Sequence, residues 1–346
     1  MSLMLQEIAE QPRALAETMR EERAKVTRLG QHLLREREID LIVMVARGSS
    51  DNAALFGRYL IEIRTGIPVS LSAPSVYTLY DARLKLDRAL VIGVSQSGEG
   101  EDVNFVLARA RACGAFTIGI TNEPASSMTR IVDETLLMHG GRERSVAATK
   151  TYTGQMMLFY MLAEALADRS SDRLAFERIP DYVAAALELR PQVEELVARY
   201  VFMENCVVVG RGLSYANAYE FALKLMETCY VVAERFSSAD FFHGPLAIVE
   251  RHFPIILFAP PGVTLPGVVS LMERLRELRA DTLTITASDR AAELCTRALR
   301  MSQEIDEFLA PIPYIVPGQL FAALLAEAKG LDPDKPRSLS KVTRTL

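Results

Sequence analysis

The chain has 346 residues, 49% of them apolar and 24% charged, with a formal net charge of −5 at neutral pH. This length suffices for a large core and for two domains of ordinary size. The lysines and arginines are scattered and form no basic run with interleaved aromatics, which argues against a nucleic-acid partner. No apolar run approaches the ~18 residues of a membrane span, and no export signal follows Met1, so we expect a cytoplasmic protein that binds small molecules.

The cysteines and histidines predict neither disulfides nor a metal site. The four cysteines are far apart in apolar patterns, as is usual for buried thiols in a reducing compartment. None of the four histidines lies at metal-ligand spacing from another histidine or a cysteine. We therefore expect a protein that needs no metal and no other cofactor.

In chain order, residues 1–36 predict one long amphipathic helix that packs on a partner surface. Short β-branched runs then alternate with helical patterns. The predicted strands are 39–46, 68–71, 89–94, 115–120 and 131–138. A strong helix over 149–167 and a helical stretch over 172–200, broken at Pro180 and Pro191, follow them. This alternation predicts an α/β fold with a mostly parallel sheet.

The second half repeats the first at a constant offset, which indicates an internal duplication. Arg47-Gly48-Ser49-Ser50 aligns with Arg211-Gly212-Leu213-Ser214, and Gly98 aligns with Gly262, each 164 residues further on (212 − 48 and 262 − 98). We predict two copies of one α/β unit, over 37–190 and 191–330, followed by a tail over 331–346.

A candidate phosphate site follows the predicted strand 89–94. The string Ser95-Gln96-Ser97-Gly98-Glu99 precedes a helical pattern, so its hydroxyls and backbone N–H groups lie where a helix N-terminus binds anions. No P-loop lysine follows, which favours one phosphoryl group over a triphosphate. Ordinary turn chemistry explains the same residues equally well. The second copy has Ala259-Pro260-Pro261 here, so only the first copy is predicted to bind phosphate.

Three segments of the second half offer groups for catalysis. Glu220, Lys224 and Glu227 are spaced to share one helix face, as a proton-transfer site or as an ordinary surface ion pair. His243 lies between aromatics and a Gly-Pro turn, and a packing histidine is the alternative. The polar tail carries Lys341, and a lysine amine can form a Schiff base with a carbonyl substrate.

Together these segments resemble the sugar isomerase (SIS) domain family, and within it the isomerase half of glucosamine-6-phosphate synthases. The resemblance covers almost the whole chain after the first helix. It rests on the order and number of the motifs Arg47-Gly48-Ser49-Ser50, Ser95-Gln96-Ser97-Gly98-Glu99, Val146-Ala147-Ala148-Thr149-Lys150, Glu220-x-x-x-Lys224-x-x-Glu227, His243-Gly244-Pro245-Leu246 and Pro336-Arg337-Ser338-Leu339-Ser340-Lys341.

The resemblance implies two tandem SIS domains, each a mostly parallel flavodoxin-like sheet flanked by helices, with an ordered C-terminal tail. It implies that Glu227 moves a proton between C1 and C2 of the sugar, that His243 helps to open the ring, and that Lys341 forms an imine. Lys224 completes the predicted catalytic set. The predicted substrate-binding set is Ser50, Ser95, Gln96, Ser97, Gly100, Glu143, Val146, Glu220 and Ser340. The resemblance also implies a homodimer with active sites shared between subunits, in which His243 comes from the neighbour.

Three departures from the family pattern bear on the reaction. Gly100 stands where the family has a threonine, and Ala148 where it has a serine, which leaves other phosphosugars open as substrates. No cysteine precedes Cys113, so we expect no glutaminase domain. The sequence therefore predicts an amino-sugar phosphate deaminase that converts glucosamine 6-phosphate to fructose 6-phosphate and ammonia. The alternatives are another phosphosugar isomerase or deglycase, a synthase-like aminotransferase without a glutaminase, or a non-catalytic phosphosugar sensor.

Overall fold

A computed structural model describes residues 1–167 and 173–341 of the chain. The described residues form two compact units. The N-terminal unit comprises Arg13–Glu143, the described part of Lys150–Glu177, and residues 340–341. The C-terminal unit comprises Met1–Pro12, Arg144–Thr149 and Arg178–Leu339.

Residues 1–36 form two helices, α1 (Leu3–Ala9) and α2 (Gln11–Glu36), rather than the single helix predicted. The break has a local cause. Pro12 has no N–H to donate to the carbonyl oxygen of Ile8, and Gln11 Nε2 donates to that oxygen instead at 3.0 Å.

The apolar stripe of α2 is buried by the same chain, not by the partner we expected. Leu15 and Leu33 on this helix are fully buried. At Gly30 a Cβ would lie 2.4 Å from the backbone oxygen of Ala165, so the helix approaches its neighbour as closely as only glycine allows. The predicted docking of this helix on a partner surface is therefore wrong for this stripe.

The N-terminal unit contains one parallel five-stranded sheet. Its strands are β1 (Leu41–Val45), β2 (Val69–Leu71), β3 (Ala89–Val94), β4 (Phe116–Thr121) and β5 (Glu134–Leu137). Its further helices are α3 (Ser49–Thr65), α4 (Ser75–Thr78), α5 (Glu101–Ala112) and α6 (Lys150–Leu166). The strand order is β2-β1-β3-β4-β5, the flavodoxin-like order, which reverses direction between β1 and β3. All six residues of β3 are buried, since helices cover both faces of such a sheet.

The C-terminal unit repeats this layout. Its strands are β6 (Asn205–Gly210), β7 (Val232–Ser237), β8 (Pro254–Ala259), β9 (Asp281–Thr286) and β10 (Arg297–Arg300). Its further helices are α7 (Ile179–Leu187), α8 (Arg190–Val197), α9 (Tyr215–Lys224), α10 (Ser238–Phe242), α11 (Leu265–Glu277), α12 (Asp289–Leu294) and α13 (Pro311–Ala328). The order β10-β9-β8-β6-β7 is the first sheet's order in the second copy. Gly48 and Gly212, one after the first strand of each sheet, share φ values of +56° and +55°. The predicted fold class and duplication are confirmed.

Prolines begin helices here more often than they break them. Pro180 and Pro191 lie in the first turns of α7 and α8, where a missing N–H costs nothing. The same rule applies at Pro311, the first residue of α13. The start of the predicted 172–200 stretch, at Asp172, lies outside the described residues.

The four cysteines are free thiols, as expected. Cys206 and Cys229 are buried, and burial raises the pKa of the two thiols to about 12 and about 11. Cys113 and Cys295 are half-buried. Over residues 1–167 and 173–341, no helix is long and apolar enough to cross a bilayer, and no cluster of three or more metal-ligating side chains occurs.

Candidate functional site

The segment 95–99 is a loop between β3 and α5. The hydroxyl oxygen of Ser95 accepts the backbone N–H of Gly98 at 3.1 Å, and that of Ser97 accepts the N–H of Glu99 at 3.3 Å. Each hydroxyl hydrogen can still donate to an anion. The loop therefore forms the hydrogen bonds of an ordinary turn. It also keeps the hydroxyl donors that phosphate binding requires.

Glycine is required at position 98. Its φ is +64°, and a Cβ there would lie 2.2 Å from Ser126 Oγ. The carbonyl oxygens of the loop are used elsewhere: Gln96 accepts the Asn122 N–H at 3.1 Å, and Gly98 accepts from Asn104 Nδ2 at 3.0 Å. These two carbonyl oxygens, which are the negative ends of their peptide dipoles, therefore accept hydrogen bonds from Asn122 and Asn104.

Glu99 at the end of the loop and Asp102 just after it are both engaged by residues outside the loop, as phosphate binding requires. Glu99 accepts the N–H and hydroxyl of Ser127 at 2.8 and 2.7 Å, and these bonds, the hydroxyl's foremost, lower its carboxyl pKa below the usual value. Asp102 is buried, and its Oδ2 lies 2.7 Å from Arg47 Nε.

Ser50 and Gly100 lie at the starts of the two helices that follow β1 and β3. Ser50 is buried in the first turn of α3, and its Oγ accepts from Gln155 Nε2 at 2.9 Å. Gly100 is the N-cap residue of α5, with φ −62° and no side-chain cap. The nearest neighbour to a Cβ there would be Val103 at 3.6 Å, so the site has room for a threonine. Because β1 and β3 flank the reversal of strand order, both positions lie where ligands of this fold usually bind.

Lys341 and Glu143 form an ion pair within the N-terminal unit. Lys341 Nζ lies 2.6 Å from Glu143 Oε2, and the glutamate side chain is fully buried. Glu143 also accepts the N–H and hydroxyl of Thr151 at 3.1 and 2.7 Å. A buried carboxylate is thus matched by a cation and by the two donors of Thr151.

Val146 belongs to the C-terminal unit, in the segment Arg144–Thr149. Glu7 of α1 fixes this segment by accepting the Ser145 N–H at 3.2 Å and the Ser145 hydroxyl at 2.6 Å. Val146 itself is half-buried, and Ser340 of the predicted set is exposed.

Glu220, Lys224 and Glu227 are brought together within the C-terminal unit, as predicted. Lys224 Nζ lies 2.6 Å from Glu227 Oε2 and 3.4 Å from Glu220 Oε1. The side chains of Lys224 and Glu220 are 0% exposed, whereas that of Glu227 is 22% exposed. Since two of the three side chains are fully buried, the cluster is not an ordinary surface ion pair. Moving these charges out of water costs several kcal/mol per ion. Glu227 is the one member of the three that solvent or a ligand can reach.

The helix changes form where Glu227 lies. α9 ends at Lys224, and Leu225–Cys229 form a single π turn, after which Tyr230 is left-handed with φ +55°. Single π turns are frequent at functional sites. The widened turn is the structural element that presents the Glu227 carboxylate while Lys224 stays buried.

His243 lies directly after α10. The hydroxyl oxygen of Ser237 caps this short helix by accepting the Asp240 N–H at 3.1 Å, and Gly244 with φ +125° redirects the chain. The histidine is exposed, and within 1–167 and 173–341 its ring has no hydrogen bond or ion pair. It is not a satisfied packing residue, which was the alternative.

Several residues that hydrogen-bond to the candidate site residues were not predicted from the sequence. Thr151 and Gln155 lie on α6, whose residues are buried almost throughout, so no amphipathic pattern marks them. The one sequence feature that points to Thr151 and Gln155 is that they follow Lys150, the last residue of the motif that begins at Val146. The pairing of Arg47 with Asp102 was also missed, because the two residues are 55 positions apart and only the fold brings them together.

Comparison with known proteins shows the family and the fold. A family model described as the SIS domain matches residues 35–165 and 203–327. A glutamine–fructose-6-phosphate aminotransferase (isomerizing) of Pyrococcus horikoshii is 34% identical over 343 residues, which are 98% of this chain and 57% of that protein. The chain therefore spans a little over half the length of the curated relatives it matches.

Two solved structures match almost end to end. The C-terminal domain of glucosamine-fructose-6-phosphate aminotransferase from Francisella tularensis has a TM-score of 0.86 and 27% identity, covering 96% of this chain and 98% of that one. A candidate phosphosugar isomerase from Silicibacter pomeroyi has a TM-score of 0.84 and 32% identity, covering 96% and 100%.

Proposed function

Because the chain belongs to the SIS domain family, we propose that it is an amino-sugar phosphate deaminase/isomerase. The reaction is glucosamine 6-phosphate plus water giving fructose 6-phosphate plus ammonia. The observation that carries the proposal is the buried Glu220–Lys224–Glu227 cluster, with Glu227 alone exposed. A general acid/base must be held in place and still be reachable by the substrate, and the Glu227 carboxylate meets both requirements.

Glu227 is the general acid/base. In the open-chain amino sugar it takes the proton from C2 and returns it to C1, while the C1 oxygen gains the proton that the C2 amino group loses, so the 2-amino aldose becomes a 1-hydroxy-2-imine. Lys224 is a positioning residue: its ammonium holds Glu227 Oε2 and is itself fixed by Glu220. Proton transfer by a positioned group typically contributes ~10² to 10⁴-fold in rate.

Lys341 is the amine that exchanges with the imine. Its deprotonated Nζ adds to C2, ammonia leaves, and a lysine–C2 imine remains; water then releases the ketone and the free lysine. Glu143, 2.6 Å from Nζ, is the acceptor for the lysine proton and can return it to the leaving ammonia. Every atom balances, since one water enters and one ammonia leaves.

The loop 95–99 holds the phosphate. Its serine hydroxyls and helix-start N–H groups supply donors, and its nearby acids are engaged by Ser127 and Arg47. Ser50 completes this binding set at the start of α3. We further propose that the protein is a homodimer in which His243 from one subunit helps to open the sugar ring bound by the other. The support is that the imidazole of His243 is exposed and forms no hydrogen bond or ion pair with the residues that the structure describes.

An ammonia-release assay tests the function. The purified protein should release ammonia from glucosamine 6-phosphate and form fructose 6-phosphate in equal amount, and the reverse should run with fructose 6-phosphate and ammonium. Lys341→Ala should lose most of this rate, whereas Lys335→Ala, an exposed lysine of the same tail, should keep it. If Lys341→Ala kept the full rate, the reaction would not pass through a lysine imine. If the protein bound phosphosugars without converting them, it would be a sensor and not an enzyme.

A second candidate is a ketose/aldose isomerase or deglycase for another phosphosugar. Two observations favour it: Gly100 lacks a hydroxyl beside the phosphate loop, and Ala148 lacks one in the loop that contains Val146. The same assay over several phosphosugars and amino-sugar phosphates separates the two candidates. Isomerisation without ammonia release would establish the second.

A further inference from the structure

The C-terminal unit contains a cleft that the proposed reaction does not use. It has a volume of about 360 Å³ and is lined by the ends of α11 and α12 and by the starts of β9 and its neighbours. Ligand pockets usually span ~300 to 1,000 Å³. None of the candidate site residues lines it; Glu227, by contrast, follows α9 between β6 and β7.

Arginines outnumber acids in the lining of this cleft, three against Asp281 and Glu293, although the whole chain is acidic. Arg199, Arg276 and Arg279 line it, together with His252. Arg199 pairs weakly with Asp281 at 3.4 Å. Arg276 and Arg279 are exposed, and neither forms an ion pair with the residues that the structure describes.

Arg279 occupies a backbone position that suits glycine. Its φ is +59°, as is usual for a glycine just past a helix. His252 is also left-handed at +65°, and its N–H donates to the Arg279 carbonyl at 2.8 Å. Both side chains are therefore kept on a backbone that disfavours them, and both line the cleft.

The internal duplication supplies a control for these residues. In this segment the offset is 165, one residue more than between the aligned glycine motifs, since β4 begins at Phe116 and β9 at Asp281 (281 − 116). The same offset relates Arg279 to Gly114, which has φ +91°. At equivalent positions the first copy thus has glycine and phenylalanine where the second has arginine and aspartate. The fold does not require the charged pair.

Asp281 lacks a hydrogen-bond donor on one side. The residue is 4% exposed, and its Oδ1 accepts no hydrogen bond from the described residues. Such an atom is costly to bury unless a donor reaches it. Attraction to the C-terminal end of the α11 dipole accounts for Arg276, but it accounts for neither Arg279 nor Asp281.

We propose that this cleft binds a small phosphorylated metabolite that carries a free hydroxyl or amino group. The phosphate lies between Arg276 and Arg279, where guanidinium groups give charge-assisted hydrogen bonds. The hydroxyl or amino group donates to Asp281 Oδ1. No residue of the phosphate loop 95–99 lines this cleft.

Calorimetric titration at low ionic strength tests the site, with glycerol 3-phosphate as the probe. The titration compares the wild type, Arg276→Gln/Arg279→Gln, and the control Arg274→Gln, whose side chain pairs with Glu277 at 2.6 Å. The loop 95–99 is the same in all three, so differences report on the cleft. The double variant should lose one binding site or bind there at least about tenfold more weakly, and the control should match the wild type. Identical isotherms for the wild type and the double variant would overturn the proposal.

A second comparison tests the role of Asp281. Asp281→Asn should weaken glycerol 3-phosphate binding more than binding of inorganic phosphate, which has no carbon-bound hydroxyl to donate. Equal weakening of both would contradict the assignment of Asp281. Thermal melts followed by circular dichroism establish that each variant is folded, and if Asp281→Asn is not, the arginine variants decide the question alone.

Discussion

Replacing Lys224 by methionine removes the cation from the Glu220–Lys224–Glu227 cluster at nearly constant volume. Glu220 is then a fully buried carboxylate without the ammonium that lay 3.4 Å away, while Glu227 is 22% exposed and can be hydrated. Removing one partner of a buried pair typically costs ~3 to 5 kcal/mol of unfolding free energy. We expect a loss of this size in the C-terminal unit.

The double variant Glu220→Leu/Lys224→Met separates charge from packing. It removes the buried acid as well, and apolar replacement of a buried pair is often neutral. We expect it to regain at least ~1 to 2 kcal/mol over Lys224→Met, while activity stays lost in both because Glu227 is no longer held.

Urea unfolding followed by far-UV circular dichroism and tyrosine fluorescence measures these differences, since the chain has no tryptophan. An unfolding free energy of Lys224→Met within ~1 kcal/mol of the wild type, a typical cost for a mutation with no special mechanism, would contradict this expectation. A double variant less stable than Lys224→Met would contradict it as well.

Three further variants test the phosphate loop. Gly98→Ala should cost more unfolding free energy than Gly66→Ala, by ~1 to 3 kcal/mol; both are left-handed, but only at Gly98 would a Cβ meet a serine oxygen, at 2.2 Å. Gly98→Ala should also raise KM for the phosphosugar. Ser127→Ala should cost about 0.5 kcal/mol at pH 7. Since the pKa of Glu99 is lowered on folding, this stabilisation exists above its ordinary value of 4.5 and should fade in melts as the pH falls below it. Gly100→Thr has room for its side chain and should lower KM in steady-state kinetics, with a gain of only a few tenths of a kcal/mol in stability.

Two local features of the fold were predictable from the sequence. β3 was predicted with its observed bounds, because a run of six buried apolar residues followed by serine and glycine is a strong strand-and-loop pattern. The Glu220–Lys224–Glu227 cluster was predictable for the same reason, since its contacts lie within two helical turns.

Features that depend on distant parts of the chain were not predictable. Glu143 and Lys341 are 198 residues apart, and only the fold brings them together. The π turn at Leu225–Cys229 has no sequence signal, because its wider hydrogen bonds depend on packing around it. The break between α1 and α2 did have a sequence signal, Pro12, but the apolar pattern of residues 1–36 continues across it.

The central claim is that Glu227 carries a proton between C1 and C2 of a phosphosugar. Deuterium exchange tests it most directly: fructose 6-phosphate and ammonium are incubated with the protein in D₂O, and the sugar is followed by NMR. The wild type should replace a C1 hydrogen with deuterium, and Glu227→Gln should do so ~10² to 10⁴-fold more slowly. Exchange at the wild-type rate in Glu227→Gln would contradict the account.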